Sequence, residues 1–436
     1  MRIAQLLPGS GSKFYCENCA RDDSLTRGLR ARGHEVLLGS LYLPLPEDGP
    51  PVSARSAPPP VFYGAVNLYL RHRFPALRRL PDWTRRLLDC GPLLRLAGSM
   101  SGTTTAAGLE ELTLSMLRGE QGGQAEELEA LLGWLARARP EVVHLSNCLL
   151  LGTVRRIRRE LGIPVACSLQ DEDTWLDGLG PEARERAWGI LRERAAEVDL
   201  FLPVSAWYAR FMAERLGIGI GTERLQVLPM GIELDGFPHG EPEPRPGPPV
   251  IGFLSHVCER MGAGILAEAF QLLAASRPGL QLWFLGGRTG QDSAFLARMR
   301  RRLARAGLSA QVRFGGSFGR AQRIRFLSSI SLLSVPVLGG QAFGTFILEA
   351  LAAGVPVVQP RLGGFTEVVG DTGGGLLYEP TTPEALAAAI GTLLDDPGRA
   401  RALGRAGRAA VLSRYTSAHM AAGLESAFAG LRRKAG

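Results

Sequence analysis

The feature that most limits what this chain can fold into is an alternation of short apolar runs with segments of helical periodicity. Ile3–Leu7 reads as a buried strand, Pro8–Ser12 as a tight glycine-serine loop, Ala20–Arg32 as a helix stopped by Gly33, and Glu35–Leu38 as the next strand. Parallel neighbours need a helical crossover, so this order is how a doubly wound parallel sheet begins. The pattern resumes with strands at Val142–Leu145, Val165–Leu169, Leu200–Val204 and Leu225–Leu228, separated by helices at Gly152–Leu161, Pro181–Glu197 and Ser205–Leu216. It restarts at Val250–Leu254 and runs through Leu280–Leu285, Gln311–Phe314 and Ser331–Val335, with helices at Gly262–Ala275, Asp292–Ala306 and Arg320–Leu327. Between the two series, Pro238–Pro249 holds six prolines, a stiff segment poor in core-forming residues. The expectation is an α/β chain of two Rossmann-like doubly wound domains. The first spans 1–237 with a less regular insert at 43–140, the linker 238–249, the second 250–415, and a last helix 416–436.

The 436 residues suffice for two or three full-size cores. A formal charge of +8 comes almost wholly from arginine, since Lys13 and Lys434 are the only lysines. Arg71–Arg86 holds six arginines around Phe74, Leu77, Leu80 and Trp83, a basic amphipathic pattern broken by Pro75 and Pro81. It fits a contact with anionic lipid or a lipid-phosphate acceptor, or a solvated basic face over a packed helix. No arginine-rich tail or aromatic platform points to nucleic acid. Six scattered cysteines make no disulfide framework. Cys16 and Cys19 form a CxxC without a second CxxC or close histidine pair, which favours a loop-shaping role over a redox or metal one. No run approaches the ~18 apolar residues of a membrane span. The expected location is cytoplasmic, with peripheral contact at the inner membrane surface through Arg71–Arg86.

Chemistry concentrates in Val335–Val369. Gly339, Gly340 and Gly344 surround Gln341 and Phe343 just before the apolar run Phe346–Ala353. Glycines there let backbone N–H groups approach a ligand, and the following helix offers its positive end to a phosphate. Gly354 and Pro356 stop that helix, and Val355–Val358 reads as a buried strand. Glu349 is the only charged side chain from Phe326 to Pro360. Inside so apolar a helix its carboxylate needs partners: ligand hydroxyls, a backbone turn or an arginine.

This stretch resembles the nucleotide-sugar signature of family 4 retaining glycosyltransferases, which have the GT-B fold. That signature carries two glutamates eight positions apart, a Phe-Gly between them and Ala-x-Gly-x-Pro-Val-Val after them. Phe343, Gly344, Glu349, Ala350, Gly354, Pro356, Val357, Val358, Gly364 and Glu367 match, while the first glutamate position carries Gln341. Val227–Phe237 resembles the family's entry to the interdomain hinge. The resemblance implies transfer of a sugar, with retention, from a UDP- or GDP-type donor to a glycan, lipid or small-molecule acceptor. It implies no protein nucleophile, metal or further cofactor, and a final helix that packs back on the first domain.

By the same resemblance Glu349 holds the donor ribose, and Phe343, Gly344 and Thr345 present the loop and helix start to the phosphates. Gln341 and His144 face the sugar. The loop of Gly9, Ser10 and Gly11 lines the site, and Gln170 and Asp171 stand on the acceptor side. The family's phosphate-binding arginine and lysine fall on His256 and Met261, leaving Arg260 or Arg288 to neutralise the diphosphate. Asp171-Glu172-Asp173 spells an Asp-x-Asp, but that metal motif belongs to another fold class. The alternative is a non-catalytic chain that binds nucleotide or glycan, or supports a partner enzyme.

Overall fold

The computed structural model of the chain describes residues 1–9, 17–42, 60–63, 108–238, 240, 247–288, 290–316 and 319–435. Two compact units form. One comprises Met1–Val204, Tyr208–Leu228 and Met420–Gly436; the other comprises Ser205–Trp207 and Pro229–His419.

In the first unit, β1 (Arg2–Leu7), β2 (Glu35–Ser40), β3 (Val142–Leu145), β4 (Val165–Leu169) and β5 (Leu200–Pro203) make one parallel sheet. Its order is β2-β1-β3-β4-β5, with Ile3 level with Val36 on one side and Val142 on the other. Strands β3, β4 and β5 are buried along their whole length, which is why they read as unbroken apolar runs. The helices are α1 (Glu17–Ala31), α2 (Glu110–Arg118), α3 (Ala125–Ala138), α4 (Glu172–Asp177), α5 (Pro181–Ala195) and α6 (Ala206–Leu216). The C-terminal helix (Ser417–Ala435) contributes Met420, Leu424, Phe428 and Leu431 to a core shared with Ile3, Leu25, Leu29, Val142 and Leu200. Each such side chain contributes roughly 1.5–3 kcal/mol by leaving water, so this helix is a structural part of the first unit.

Two expected elements differ. Leu225–Leu228 is not a strand: Leu225 makes a single bridge to Phe201, and the chain carries on extended through Gln226 N to Phe201 O and Leu228 N to Pro203 O. Pro203 on β5 has no N–H to give back between those two bonds, so no continuous ladder forms. The helix expected at Gly152–Leu161 begins earlier, as a 3-10 turn at Cys148–Thr153 capped by Asn147, and ends as a π turn at Ile157–Leu161. A Cβ on Gly152 would meet the Met116 carbonyl at 2.0 Å, so the segment is wound to fit close backbone packing.

In the second unit, β6 (Val250–Leu254), β7 (Gln281–Leu285), β8 (Val312–Gly315), β9 (Leu332–Leu333), β10 (Val357–Pro360) and β11 (Gly375–Tyr378) form a second parallel sheet. Its order is β11-β10-β9-β6-β7-β8. The helices are α7 (Ala263–Ala274), α8 (Ser293–Arg305), α9 (Arg320–Leu327), α10 (Thr345–Ala352), α11 (Phe365–Thr372), α12 (Pro383–Asp395) and α13 (Pro397–Arg414). Strand β9 is shorter than expected because Val335 N turns to the Gln359 side chain, Oε1 at 3.2 Å, and leaves the ladder. Strand β10 starts only at Val357, because Val355 N still closes α10 on Ala350 O and Gly354 sits at φ 74° as the helix stop. The strand order reverses between β6 and β9. In open α/β sheets the crevice beyond the carboxyl ends of such a pair is where ligands bind.

Candidate functional site

Glycine holds that crevice of the second unit in shape. Gly262, at φ 77°, lies so close to β9's exit that a Cβ would meet the Pro336 carbonyl at 1.9 Å. Leu338 N bonds Arg260 O at 3.0 Å, tying the loop after β6 to the loop after β9. Gly340 and Gly344 take φ of 78° and 92°, which suits only glycine. Behind them Gly364 N donates to Gln341 O at 2.8 Å, and a Cβ on Gly364 would stand 2.3 Å from the Ala342 carbonyl. Two loops, after β9 and after β10, thus touch backbone to backbone and carry Gln341. The Gln341 Oε1 atom is buried with no hydrogen-bond partner, an unused acceptor. Helix α10 begins directly behind this loop, and its first N–H groups have no intrahelical acceptor.

Glu349 lies on α10, where every residue is buried, and is 5% exposed itself. Of the partners open to it from the sequence, the structure supplies the arginine. Arg323 of α9 bonds both carboxylate oxygens through Nε at 3.2 and 3.1 Å and adds Nη2 at 2.9 Å. Arg323 is 7% exposed, so this is a buried ion pair. Its burial was hidden in the sequence: Arg320, Arg323 and Arg325 share one short helix and look like a solvated face. Oε1 already accepts from both Nε and Nη2, so the spare lone-pair capacity lies on Oε2, which leaves room for one further, neutral donor.

The other expected donor residues divide. Phe343 is buried, 6.3 Å from the Tyr415 ring, and Thr345 Oγ1 points to Met230 Sδ at 3.2 Å. The resemblance has these two present the loop and helix start to the phosphates; their side chains are core, and it is their backbone that lies at the helix start. Met261 is buried too. Arg260 and Arg288 are exposed, and among the described residues neither forms an ion pair. His256 Nε2 lies 2.7 Å from Asp292 Oδ2.

In the first unit, Gly9 takes φ 75° at the carboxyl end of β1. Ser10, Gly11 and Cys16 lie outside the described residues, as do the Cys19 side chain and Arg71–Arg86. His144 is fully buried, with Nε2 2.9 Å from Ser168 Oγ and its ring 5.9 Å from that of Phe428. Burial, and then the Arg21 charge, push its pKa down to about 3. It is a neutral core histidine here, and the sugar-facing place expected for it is corrected. Sequence reading missed the groups beside it. Arg21 donates to Ser168 Oγ at 2.8 Å and pairs with Asp22, whose carboxyl burial pushes up to about 7 against the pull of Arg21. Gln170 is buried, donates to Ser146 O at 2.8 Å and leaves Oε1 unpartnered. Asp171, half-buried, accepts from Thr174.

Glu172 explains the acidic triplet. It accepts from the N–H groups of Gln170, Asp171 and Cys148 and from Tyr208 Oη, while Asp173 takes the same tyrosine hydroxyl. Both acids are engaged in holding this loop. No described helix is long and apolar enough to cross a membrane.

Comparison with known proteins places both units. The family model described as Glycosyl transferase 4-like domain matches residues 23–231, and that described as Glycosyl transferases group 1 matches residues 239–410. D-inositol 3-phosphate glycosyltransferase of Acidothermus cellulolyticus is 31% identical over 341 residues, 74% of this chain and 71% of that one. Glycogen synthase of Mycobacterium tuberculosis is 26% identical over 283 residues, 64% of this chain and 66% of the relative, so the match spans just under two thirds of it. Among solved structures, Anabaena HepE in complex with UDP and glucose superposes with a TM-score of 0.66 at 16% identity, covering 98% of this chain and 99% of that one. The fold is GT-B.

Proposed function

Since the chain belongs to the group 1 glycosyltransferases of family 4, we propose that it transfers a hexose-type sugar, with retention, from a UDP or GDP sugar to a polar acceptor. The observation that carries this reading is Glu349: one carboxylate, buried in an otherwise apolar helix, directly behind a glycine-built loop at the switch point of a parallel sheet. Its Oε2 suits a ribose hydroxyl, whose donor adds to those of Arg323 without adding charge. The diphosphate lies against the backbone N–H groups at the start of α10, with Arg260 or Arg288 folding over it. Gln341 Oε1 accepts from a sugar hydroxyl.

Departure of the sugar needs negative charge to be stabilised on the leaving diphosphate, and the helix start and the exposed arginines supply that without a protein nucleophile. The leaving phosphate then takes the acceptor proton on the same face of the sugar, which retains configuration. Gly9, Gln170 and Asp171 stand at strand ends of the first unit and are the acceptor-side residues. The relative's name, an inositol phosphate glycosyltransferase, supports an acceptor rich in hydroxyls. The experiment is calorimetric titration of the purified chain with UDP, GDP and ADP, alongside Glu349→Ala. Micromolar binding of one nucleotide, lost in the variant, is expected and names the base. No binding of any of the three would overturn the donor site. Proton NMR of the product's anomeric configuration tests retention.

A further inference from the structure

The loop after β6 brings together three side chains of mixed chemistry. His256 and Cys258 sit on one tight turn, closed by Cys258 N to His256 O at 3.0 Å. Val257 N bonds Gly287 O at 2.9 Å, which ties this turn to the loop after β7 and thereby to Asp292. Asp292 occupies the N-cap of α8, where an aspartate would normally accept from its own helix. It makes no such bond, and its Oδ2 lies 2.7 Å from His256 Nε2 instead. A nitrogen of His256, Cys258 Sγ and an Asp292 oxygen all lie within 4.8 Å of one another. The Cys258 thiol and the Asp292 carboxylate are partly buried and the imidazole is about one third exposed, so the group is open on one side.

We propose that His256, Cys258 and Asp292 hold a divalent transition-metal ion of the zinc class, whose fourth position takes a diphosphate oxygen of the donor. The donor set argues for the metal. Imidazole with thiolate suits zinc, whereas magnesium and calcium demand oxygen ligands. Three protein ligands with one open position are the arrangement of a zinc that engages a substrate. The distances argue for reach. With metal–ligand bonds of about 2.0–2.3 Å, tetrahedral ligand atoms stand about 3.3–3.7 Å apart. The His256–Asp292 contact therefore opens by roughly half an ångström and the sulfur closes by roughly one at most, both within side-chain rotation. The ion displaces the thiol proton, and an imidazole proton that faces the carboxylate passes to the other ring nitrogen, so uptake releases the proton of Cys258.

The place argues for the role. His256 stands where the family resemblance calls for a phosphate-binding arginine, and Met261, where it calls for lysine, is buried. An ion held by His256 restores a fixed positive centre there. This role rests on the nucleotide-sugar reading above; the metal site itself does not.

The test separates the two. The full chain, stripped with chelator, is loaded with one equivalent of cobalt(II) and the excess is removed. A thiolate-to-cobalt charge-transfer band is expected in the near ultraviolet, absent from Cys258→Ser, with affinity at least tenfold weaker in Asp292→Asn. Circular dichroism confirms that both variants fold. No band in the native chain, or a band that survives Cys258→Ser, overturns the site; the second result would place the metal on other thiols. UDP is then titrated into loaded and stripped protein. At least tenfold tighter binding to the loaded form, lost in Cys258→Ser, supports the diphosphate role, and equal binding overturns it. If UDP binds neither form while the band stands, the nucleotide reading fails and the metal site does not.

Discussion

Removing Arg323 while leaving Glu349 strands a carboxylate in a helix that is buried on every residue. Breaking one side of a buried ion pair costs about 3–5 kcal/mol, because the remaining charge keeps its desolvation penalty and loses its partner. Arg323→Met and Glu349→Leu should each approach that figure. The double variant should cost less than either, since an apolar pair of similar volume replaces the charges. The coupling energy is then about 2 kcal/mol or more. The two units need not unfold together, so a global midpoint would mix them. Hydrogen exchange of the peptide covering Thr345–Ala352, read by mass spectrometry, reports the affected helix directly. A loss of about 3–5 kcal/mol lowers its protection by about two to four orders of magnitude in each single variant, with partial recovery in the double. Single variants that each cost under 1 kcal/mol and simply add would show that the pair is solvated, and the argument for an obligate partner to Glu349 would fall with it.

Three further outcomes follow from the geometry. His144 has a pKa of about 3 when folded against a usual value of 6.5, so the unfolded chain takes up a proton that the folded chain refuses, and stability falls as pH drops through that window, by up to about 4 kcal/mol. Asp22, raised from 3.8 to about 7, works in the opposite sense over nearly the same range, and the raised carboxyls of Glu172 and Asp173 act with it; the urea midpoint of the first unit should therefore fall more steeply between pH 4.5 and 6.5 in His144→Gln than in the native chain. Gly364→Ala places a Cβ 2.3 Å from the Ala342 carbonyl and should weaken UDP at least tenfold through displacement of the Gln341 loop, measured by calorimetry, while Gly370→Ala, which meets nothing within 4 Å, leaves it unchanged. Gln341→Glu exchanges an amide whose buried Oε1 has no partner for a carboxylate in the same place; turnover should stay level or fall, and a tenfold gain would show that the amide limits catalysis.

The sheets were legible because parallel strands buried on both faces leave unbroken apolar runs, and crossover helices leave a different period. Leu225–Leu228 has the same local pattern and failed, since a strand exists only through its neighbour and Pro203 on β5 lacks the N–H that a continuous ladder needs. At the site, glycine positions were legible for a similar reason. Gly344 and Gly354 need positive φ whatever surrounds them, and a residue type that permits it announces the turn. Side-chain partners were not. Glu349 was conspicuous as the lone charge in an apolar stretch, yet its partner lies 26 positions earlier on a helix with three arginines that look alike in sequence. His144 read as a site residue, and its core place is set by Ser168, Arg21 and, from the far end of the chain, Phe428. Asp292 read as a helix start, and the turn that draws it to His256 is a tertiary fact.

Glu349 separates scaffold from chemistry in this unit. The glycine contacts at positions 262, 340 and 364 are required by the backbone packing alone, so they would be needed in a protein that bound nothing. The Arg323–Glu349 pair is different. A buried ion pair is a poor stabiliser, and two apolar side chains of the same size would hold α9 against α10 as well or better. Stability therefore does not account for charge at this place. On the proposed reading a ligand that brings a hydroxyl donor would: the arginine fixes the carboxylate's orientation before binding and keeps it from facing an apolar core alone, and the spare capacity of Oε2 would receive a neutral hydroxyl without a second charge having to be buried. That division of labour, with a cation to hold the carboxylate and a neutral hydroxyl to use it, is what the proposed ribose site on α10 would require.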